Sequence, residues 1–132
     1  MDKHKILLVD DDPDIVEAVR FSLDQGGYDV ITAADGMEGL EKAREIKPDL
    51  IVMDVMMPKE NGYRVSGMIR EDEKSGKLTK RTPIILLTAR NLQGDPGREK
   101  MFMDFSKADM MMYKPFDMDD LLKRIKELLK PQ

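Results

Sequence analysis

At 132 residues the chain has the length of one domain of ordinary size, with room for a single core and none for a second catalytic lobe. Its 41% hydrophobic and 36% charged residues describe a soluble, folded chain, and no apolar run nears the ~20 residues of a membrane span. A formal charge of −4 argues against direct nucleic-acid binding, zero cysteines exclude a disulfide framework and thiolate metal sites, and twelve methionines are left to explain.

The apolar run Ile6 to Val9 is too short for a signal peptide, so a cytoplasmic chain is expected. Lys5 to Val9 reads as a first strand. Asp12 then caps a helix from Pro13 to Gln25, with proline at its first position and Gly26-Gly27 as its stop. A second strand spans Tyr28 to Ala33, and a second helix spans Gly36 to Ile46, ending before Pro48. Asp49 to Met53 is the third strand. A third helix follows Asn61-Gly62 and turns Val65, Met68 and Ile69 inward, and Lys74 to Thr82 reads as an exposed polar connection. Within it Lys77, Lys80 and Arg81 form a compact basic patch on a solvated loop. Pro83 to Leu87 is the fourth strand and Met110 to Tyr113 the fifth. In the last helix Leu121, Leu122, Ile125, Leu128 and Leu129 repeat at three and four residues between a cap at Asp117 and Pro131.

Strands alternating with helices of about 10 to 15 residues imply parallel βαβ units with right-handed crossovers. The expected architecture is one doubly wound, five-stranded α/β domain over residues 1–132, without repeat or linker. Such sheets bind ligands beyond the carboxyl ends of their strands. There the first strand is followed by Asp10, Asp11 and Asp12, the third by Asp54, the fourth by Thr88, and the fifth by Lys114 and Pro115. If strands one and three are neighbours, three carboxylates converge and repel one another unless a cation neutralises them. Oxygen donors in that number suit Mg2+, and a lysine and a threonine beside them suit a phosphoryl group next to a carboxylate nucleophile. Alone, each of these residues reads as a turn former, a cap or a surface charge. Together they end four strands in the set that phosphoryl chemistry needs.

The stretches that carry this set are Ile6 to Pro13 (Ile-Leu-Leu-Val-Asp-Asp-Asp-Pro), Pro48 to Pro58 with Asn61-Gly62, Pro83 to Ala89 and Tyr113 to Phe116. In order and spacing the chain resembles the receiver domain of two-component response regulators of the chemotaxis-regulator type. The resemblance implies a flavodoxin-like sheet of strand order 2-1-3-4-5 with five helices. It implies a regulator that catalyses its own phosphorylation and dephosphorylation rather than an enzyme. Asp54 would accept the phosphoryl group, Asp11 and Asp54 would hold Mg2+ directly, Asp10 would hold it through water, and the Met56 carbonyl would add a ligand. Thr88 and Lys114 would contact the phosphoryl oxygens, Lys114-Pro115 would be cis, and Pro58 and Gly62 would shape the acceptor loop. The implied partners are a histidine kinase or phosphotransfer protein, and a downstream protein on the face of the fourth helix, fifth strand and fifth helix. A homodimer on phosphorylation is a further expectation, with no contact to nucleic acid or membrane.

Three positions depart from the family pattern. Met111 stands where most relatives carry a switching aromatic residue, and Tyr113, two residues on, faces the same side, so either could report the switch. Lys107-Ala108-Asp109 replaces Gly-Ala-Asp, which predicts a different cap or a longer last turn, and Gly94 to Gly97 predicts a loosened or shifted fourth helix. Met56 and Arg90 flank the pocket and predict slow self-dephosphorylation. Two other classes compete with this reading. A haloacid-dehalogenase-type phosphatase would use Asp10 as nucleophile and Asp12 as acid/base, leaving Asp54 unexplained. A phosphorylation-independent interaction module would have an eroded pocket. Copper binding at Met110 to Met112 is set aside for a strand buried on both faces, and much of the methionine load is expected to fill the core.

Overall fold

A computed structural model describes residues 3–57, 60–78, 80–89 and 94–130. The expectations for Pro58, Arg90 and Pro131 fall outside these residues. Strands and helices alternate as β1 (Lys5–Val9), α1 (Pro13–Gln25), β2 (Asp29–Ala33), α2 (Gly36–Ile46), β3 (Leu50–Asp54), α3 (Gly62–Ser75), β4 (Ile84–Ala89), α4 (Pro96–Ser106), β5 (Met110–Lys114) and α5 (Met118–Leu128). The strands form one sheet in the order β2-β1-β3-β4-β5, parallel throughout. That order makes β1 and β3 neighbours, so the residues after Val9 and at the end of β3 meet at one edge of the sheet.

Alternation along each central strand divides the core into two layers. Leu7, Val9, Ile51, Met53, Ile84 and Leu86 face α2, α3 and α4. Ile6, Leu8, Val52, Ile85 and Leu87 face α1 and α5, which bury Val19, Leu23, Leu121 and Ile125. Central strands covered on both sides read as continuous apolar runs, which is why they were visible in the sequence. The helix ends also follow local chemistry. Asp12, Asp35, Asn61, Asp95 and Asp117 each accept an N–H of the first turn of α1, α2, α3, α4 and α5 respectively. Lys47 closes α2 in the left-handed region at φ 50°, just before Pro48.

Several expectations need correction. Lys74 to Thr82 is not simply an exposed connection: α3 continues to Ser75, and Leu78 and Thr82 are buried. The basic patch is paired with acids, Lys80 with Asp49 at 2.8 Å and Arg81 with Asp109 at 2.7 Å. α4 is a regular helix, because the Asp95 cap and Pro96 at its first position organise the Gly94 to Gly97 segment. Its C-cap is Lys107 at φ 53°, a left-handed position that lysine fills in place of glycine.

β5 is an edge strand rather than one buried on both faces. Met112 is buried, whereas Met110 and Met111 are only partly covered. Much of the methionine load does pack on the core, with Met57, Met68, Met110, Met111 and Met118 lying partly covered against it. Met53 and Met112 are the buried ones among the described residues, while Met37, Met56 and Met101 are exposed. No helix among the described residues is long and apolar enough to cross a membrane.

Candidate functional site

Parallel pairing of β1 with β3 brings Asp10, Asp11 and Asp54 together, with one carboxylate oxygen from each lying within 4.8 Å of the others. Asp10 and Asp54 are buried, at 2% and 5% exposure, and Asp11 is open to solvent. Lys114 ends β5 and reaches across: its Nζ lies 3.1 Å from Asp10 Oδ2 and 3.0 Å from Asp54 Oδ1. The Lys114-Pro115 bond that follows is cis. Asp10 Oδ1 also accepts the Asp12 N–H at 2.9 Å, while Asp12 Oδ1 caps α1 through the Asp14 N–H at 3.0 Å. Asp12 is thus engaged as a helix cap and lies outside the carboxylate cluster, which leaves the phosphatase reading without its acid/base.

The electrostatics show strain of charge. Burial pushes the Asp54 carboxyl above its ordinary range; the Lys114 hydrogen bond opposes this, and the Asp10 and Asp11 charges reinforce it. Burial would lower the Lys114 ammonium, but its hydrogen bonds to Asp54 and Asp10 outweigh that and hold it above its usual value. One ammonium cannot neutralise three carboxylates, and hard oxygen donors left in excess are the donor set for a divalent cation such as Mg2+.

Thr88 lies buried near the end of β4, at the same edge of the sheet. Met56 is 70% exposed, so its side chain leaves the pocket open on that side. The turn after Asp54 is held by backbone bonds from Val55 N to Leu87 O at 2.8 Å and from Gly62 N to Val55 O at 2.9 Å. A Cβ on Gly62 would stand 2.5 Å from the Asp54 carbonyl oxygen and 2.9 Å from Val55 Cα, so only glycine allows α3 to start so close to this turn. Gly62→Ala is therefore expected to cost about 1–3 kcal/mol in chemical denaturation. A loss below about 0.5 kcal/mol, the scatter of neutral surface changes, would show that the turn yields without strain.

Tyr63 is the contact that the sequence reading missed. Its hydroxyl approaches Met111 and Thr88, and its ring meets Phe102 on α4. The available signal was an aromatic residue directly after Asn61-Gly62, off the helical stripe of Val65, Met68 and Ile69.

Comparison with known proteins agrees with this geometry. The family model described as "Response regulator receiver domain" matches residues 6–126. The chain is 43% identical over 126 residues to the alkaline phosphatase synthesis transcriptional regulatory protein PhoP of Bacillus subtilis, covering 96% of this chain and 48% of that protein. It is 38% identical over 126 residues to the DNA-binding dual master transcriptional regulator RpaA of Synechocystis, covering 96% and 49%. The chain thus spans about half the length of these curated relatives. Among solved structures, the chemotaxis response regulator CheY4 of Vibrio cholerae superposes with a TM-score of 0.83 at 34% identity, over 97% of this chain and all of that one. The response regulator TrrA of Thermotoga maritima, solved in complex with Mg2+ and BeF, gives 0.78 at 35% identity over 96% and 99%. By fold, by the match over residues 6–126 and by relatives at this level of identity, the chain belongs to the response regulator receiver domains of two-component signalling.

Proposed function

We propose that the chain accepts a phosphoryl group on Asp54 from the phosphohistidine of a histidine kinase or phosphotransfer protein, and that this switches a protein-binding face. The observation that carries the reading is a buried carboxylate, Asp54, held 3.0 Å from the Lys114 ammonium inside a three-carboxylate cluster. The Thermotoga relative, solved with Mg2+ and BeF, supports the same use of its pocket.

Asp11 and Asp54 would hold Mg2+ directly, Asp10 through water, with the Met56 carbonyl as a further ligand. When bound, Mg2+ supplies positive charge to the phosphoryl oxygens. Every other step belongs to the chain. An Asp54 carboxylate oxygen attacks the phosphorus in line, the new O–P bond forms as the N–P bond to histidine breaks, and the imidazole leaves. Lys114 donates to one phosphoryl oxygen and Thr88 to another, offsetting charge where it develops. Water later cleaves the acyl phosphate and restores the carboxylate. While the dianion persists, its pull on Thr88 and Lys114 shifts a pre-existing equilibrium of the α4-β5-α5 face. That face would meet a downstream protein in the cytoplasm or a second phosphorylated copy.

The test is intact-protein mass spectrometry with a small acyl-phosphate donor, with and without Mg2+. One phosphoryl group is expected only with Mg2+, and peptide mapping should place it on Asp54. Label on Asp10 would overturn the reading in favour of a phosphatase intermediate.

A further inference from the structure

Tyr63 sits in the first turn of α3 and is 7% exposed. Its hydroxyl lies 3.5 Å from the Met111 sulfur and donates to it, and its side chain and Thr88 line the same cavity, close enough for the two hydroxyls to interact. Its ring stacks on Phe102 of α4 with centroids 4.3 Å apart and planes 7° from parallel. The Arg98 guanidinium stands 5.9 Å from the Phe102 ring. One side chain therefore touches α4, β5 and the threonine nearest the acceptor. A cavity of about 180 Å3 beside it, bounded by Met56, Thr88, Arg98 and Phe102, leaves the ring room to shift.

The hydroxyl chemistry makes this arrangement a switch. Threonine carries one O–H proton, so Thr88 can donate to the Tyr63 oxygen or to a phosphoryl oxygen on Asp54, but not to both. Drawing Thr88 toward the phosphoryl group releases Tyr63 from it, while the stack ties the ring to Phe102. α4 is also fastened unevenly. Its C-terminal end is bonded to α3 by Ser66 Oγ donating to Ser106 O at 2.8 Å and Arg70 Nε donating to Lys107 O at 2.9 Å. Its middle carries the Phe102 stack, and Glu99, about a turn earlier, accepts from the Tyr113 hydroxyl. A displaced Tyr63 thus pulls on α4 at its middle, ahead of the C-terminal anchor, and moves the stretch that bears Arg98 and Glu99. Met111, a thioether acceptor on β5, offers no ring to swing, so the aromatic group that moves sits on α3.

We propose that Tyr63 is the positioning residue that couples Thr88 to α4 and β5, a role that rests on the phosphoacceptor reading of Asp54. The methionines supply the probes, since Met56 flanks the acceptor, Met111 lies on β5 and Met103 lies on α4. In a chain labelled with 13C at the methionine methyls, a small acyl-phosphate donor with Mg2+ should move all three signals. In Tyr63→Phe, which keeps the ring and its stack, the phosphorylation-induced shift at Met56 should persist, and those at Met111 and Met103 should fall at least twofold. Met111→Leu, which removes the sulfur acceptor, should reduce the Met103 shift in the same way. A merely structural role would alter the resting spectrum and leave these induced differences intact. Wild-type-sized induced shifts at Met111 and Met103 in Tyr63→Phe overturn the coupling. A wild-type chain that gains no phosphoryl mass and shows no Met56 shift overturns the phosphoacceptor reading, and the coupling falls with it.

Discussion

Asp54→Asn is expected to abolish phosphoryl uptake and, in the absence of divalent cations, to make the protein more stable. The loss of uptake follows from the nucleophile, since an amide oxygen does not form the acyl phosphate. The gain in stability follows from the crowding of Asp10, Asp11 and Asp54 around one ammonium. Because burial and the two neighbouring carboxylates hold the Asp54 pKa above its unfolded value, the charged form costs the native state stability. The sign follows directly. Between the unfolded and folded pKa values the native state binds more protons, so wild-type stability falls as pH rises through that window. The advantage of the asparagine is fully present above the folded pKa and vanishes as pH falls below the unfolded one. Lys114 keeps Asp10 as a partner, so the substitution strands no cation. A gain of about 1 kcal/mol is expected near neutral pH, on the scale of ordinary single substitutions. Mg2+ should reverse the ranking. A ligand at one hundred times its dissociation constant stabilises its native site by about 2.7 kcal/mol, and the variant has lost a ligand carboxylate. Thermal melts with a chelator and with Mg2+ read both effects. An Asp54→Asn protein that melts below wild type in chelator would contradict the picture of a charge-strained pocket.

The carboxylate cluster was legible in the sequence because two separate features agreed: apolar runs marked the central strands, and each run ended in a residue with chemistry. Lys5–Val9, Pro13–Gln25 and Gly36–Ile46 have the bounds that their apolar pattern, caps and breakers indicate, and the other strands differ by one or two residues at their ends. α4 was illegible for a physical reason. Met101 and Phe105 face solvent, Phe102 packs on the core and Met103 is half-buried, so its apolar residues fall on more than one side and no single stripe marks a helix. Its Asp95-Pro96 start decides the matter locally. β5 misled in the opposite sense, because a run of apolar methionines at a sheet edge looks like a buried strand. Ion pairs were the least readable. Within Arg70-Glu71-Asp72-Glu73-Lys74, a run that resembles a solvated helix face, Asp72 is buried against Arg44 of α2, whose Nε lies 2.6 Å from its Oδ2. Spacing along one helix cannot reveal a partner on another.

Arg70→Met is expected to produce the largest loss of stability, although Arg70 lies at the opposite end of the sheet from Asp54. Its side chain is 8% exposed and spends its donors on four elements of structure. Nε donates to Lys107 O at 2.9 Å, Nη1 to Thr82 O at 2.8 Å and to both Glu73 oxygens, and Nη2 to Asp109 Oδ2 at 2.9 Å. The acids in turn anchor backbone, Asp109 accepting the Ile84 N–H at 2.7 Å and Glu73 accepting the Thr82 N–H at 2.8 Å. The guanidinium thus joins α3 to the entry of β4, the entry of β5 and the C-cap of α4. Removing it leaves the largely buried Glu73 carboxylate short of a cation, leaves Asp109 only the exposed Arg81, and deprives two carbonyls of a donor. Breaking a buried charge cluster by deleting one member costs about 3–5 kcal/mol, a large part of the roughly 5–15 kcal/mol that holds a domain folded. The melting temperature should fall by about 10 °C, taking about 3 °C per kcal/mol at this size. Arg70→Lys should recover little, because an ammonium cannot reproduce the planar fork that serves these acceptors at once. Phosphoryl uptake by the folded fraction should survive in both variants, since no group of the acceptor pocket touches this cluster. A lysine variant as stable as wild type would show that charge alone, without the guanidinium geometry, holds these elements together.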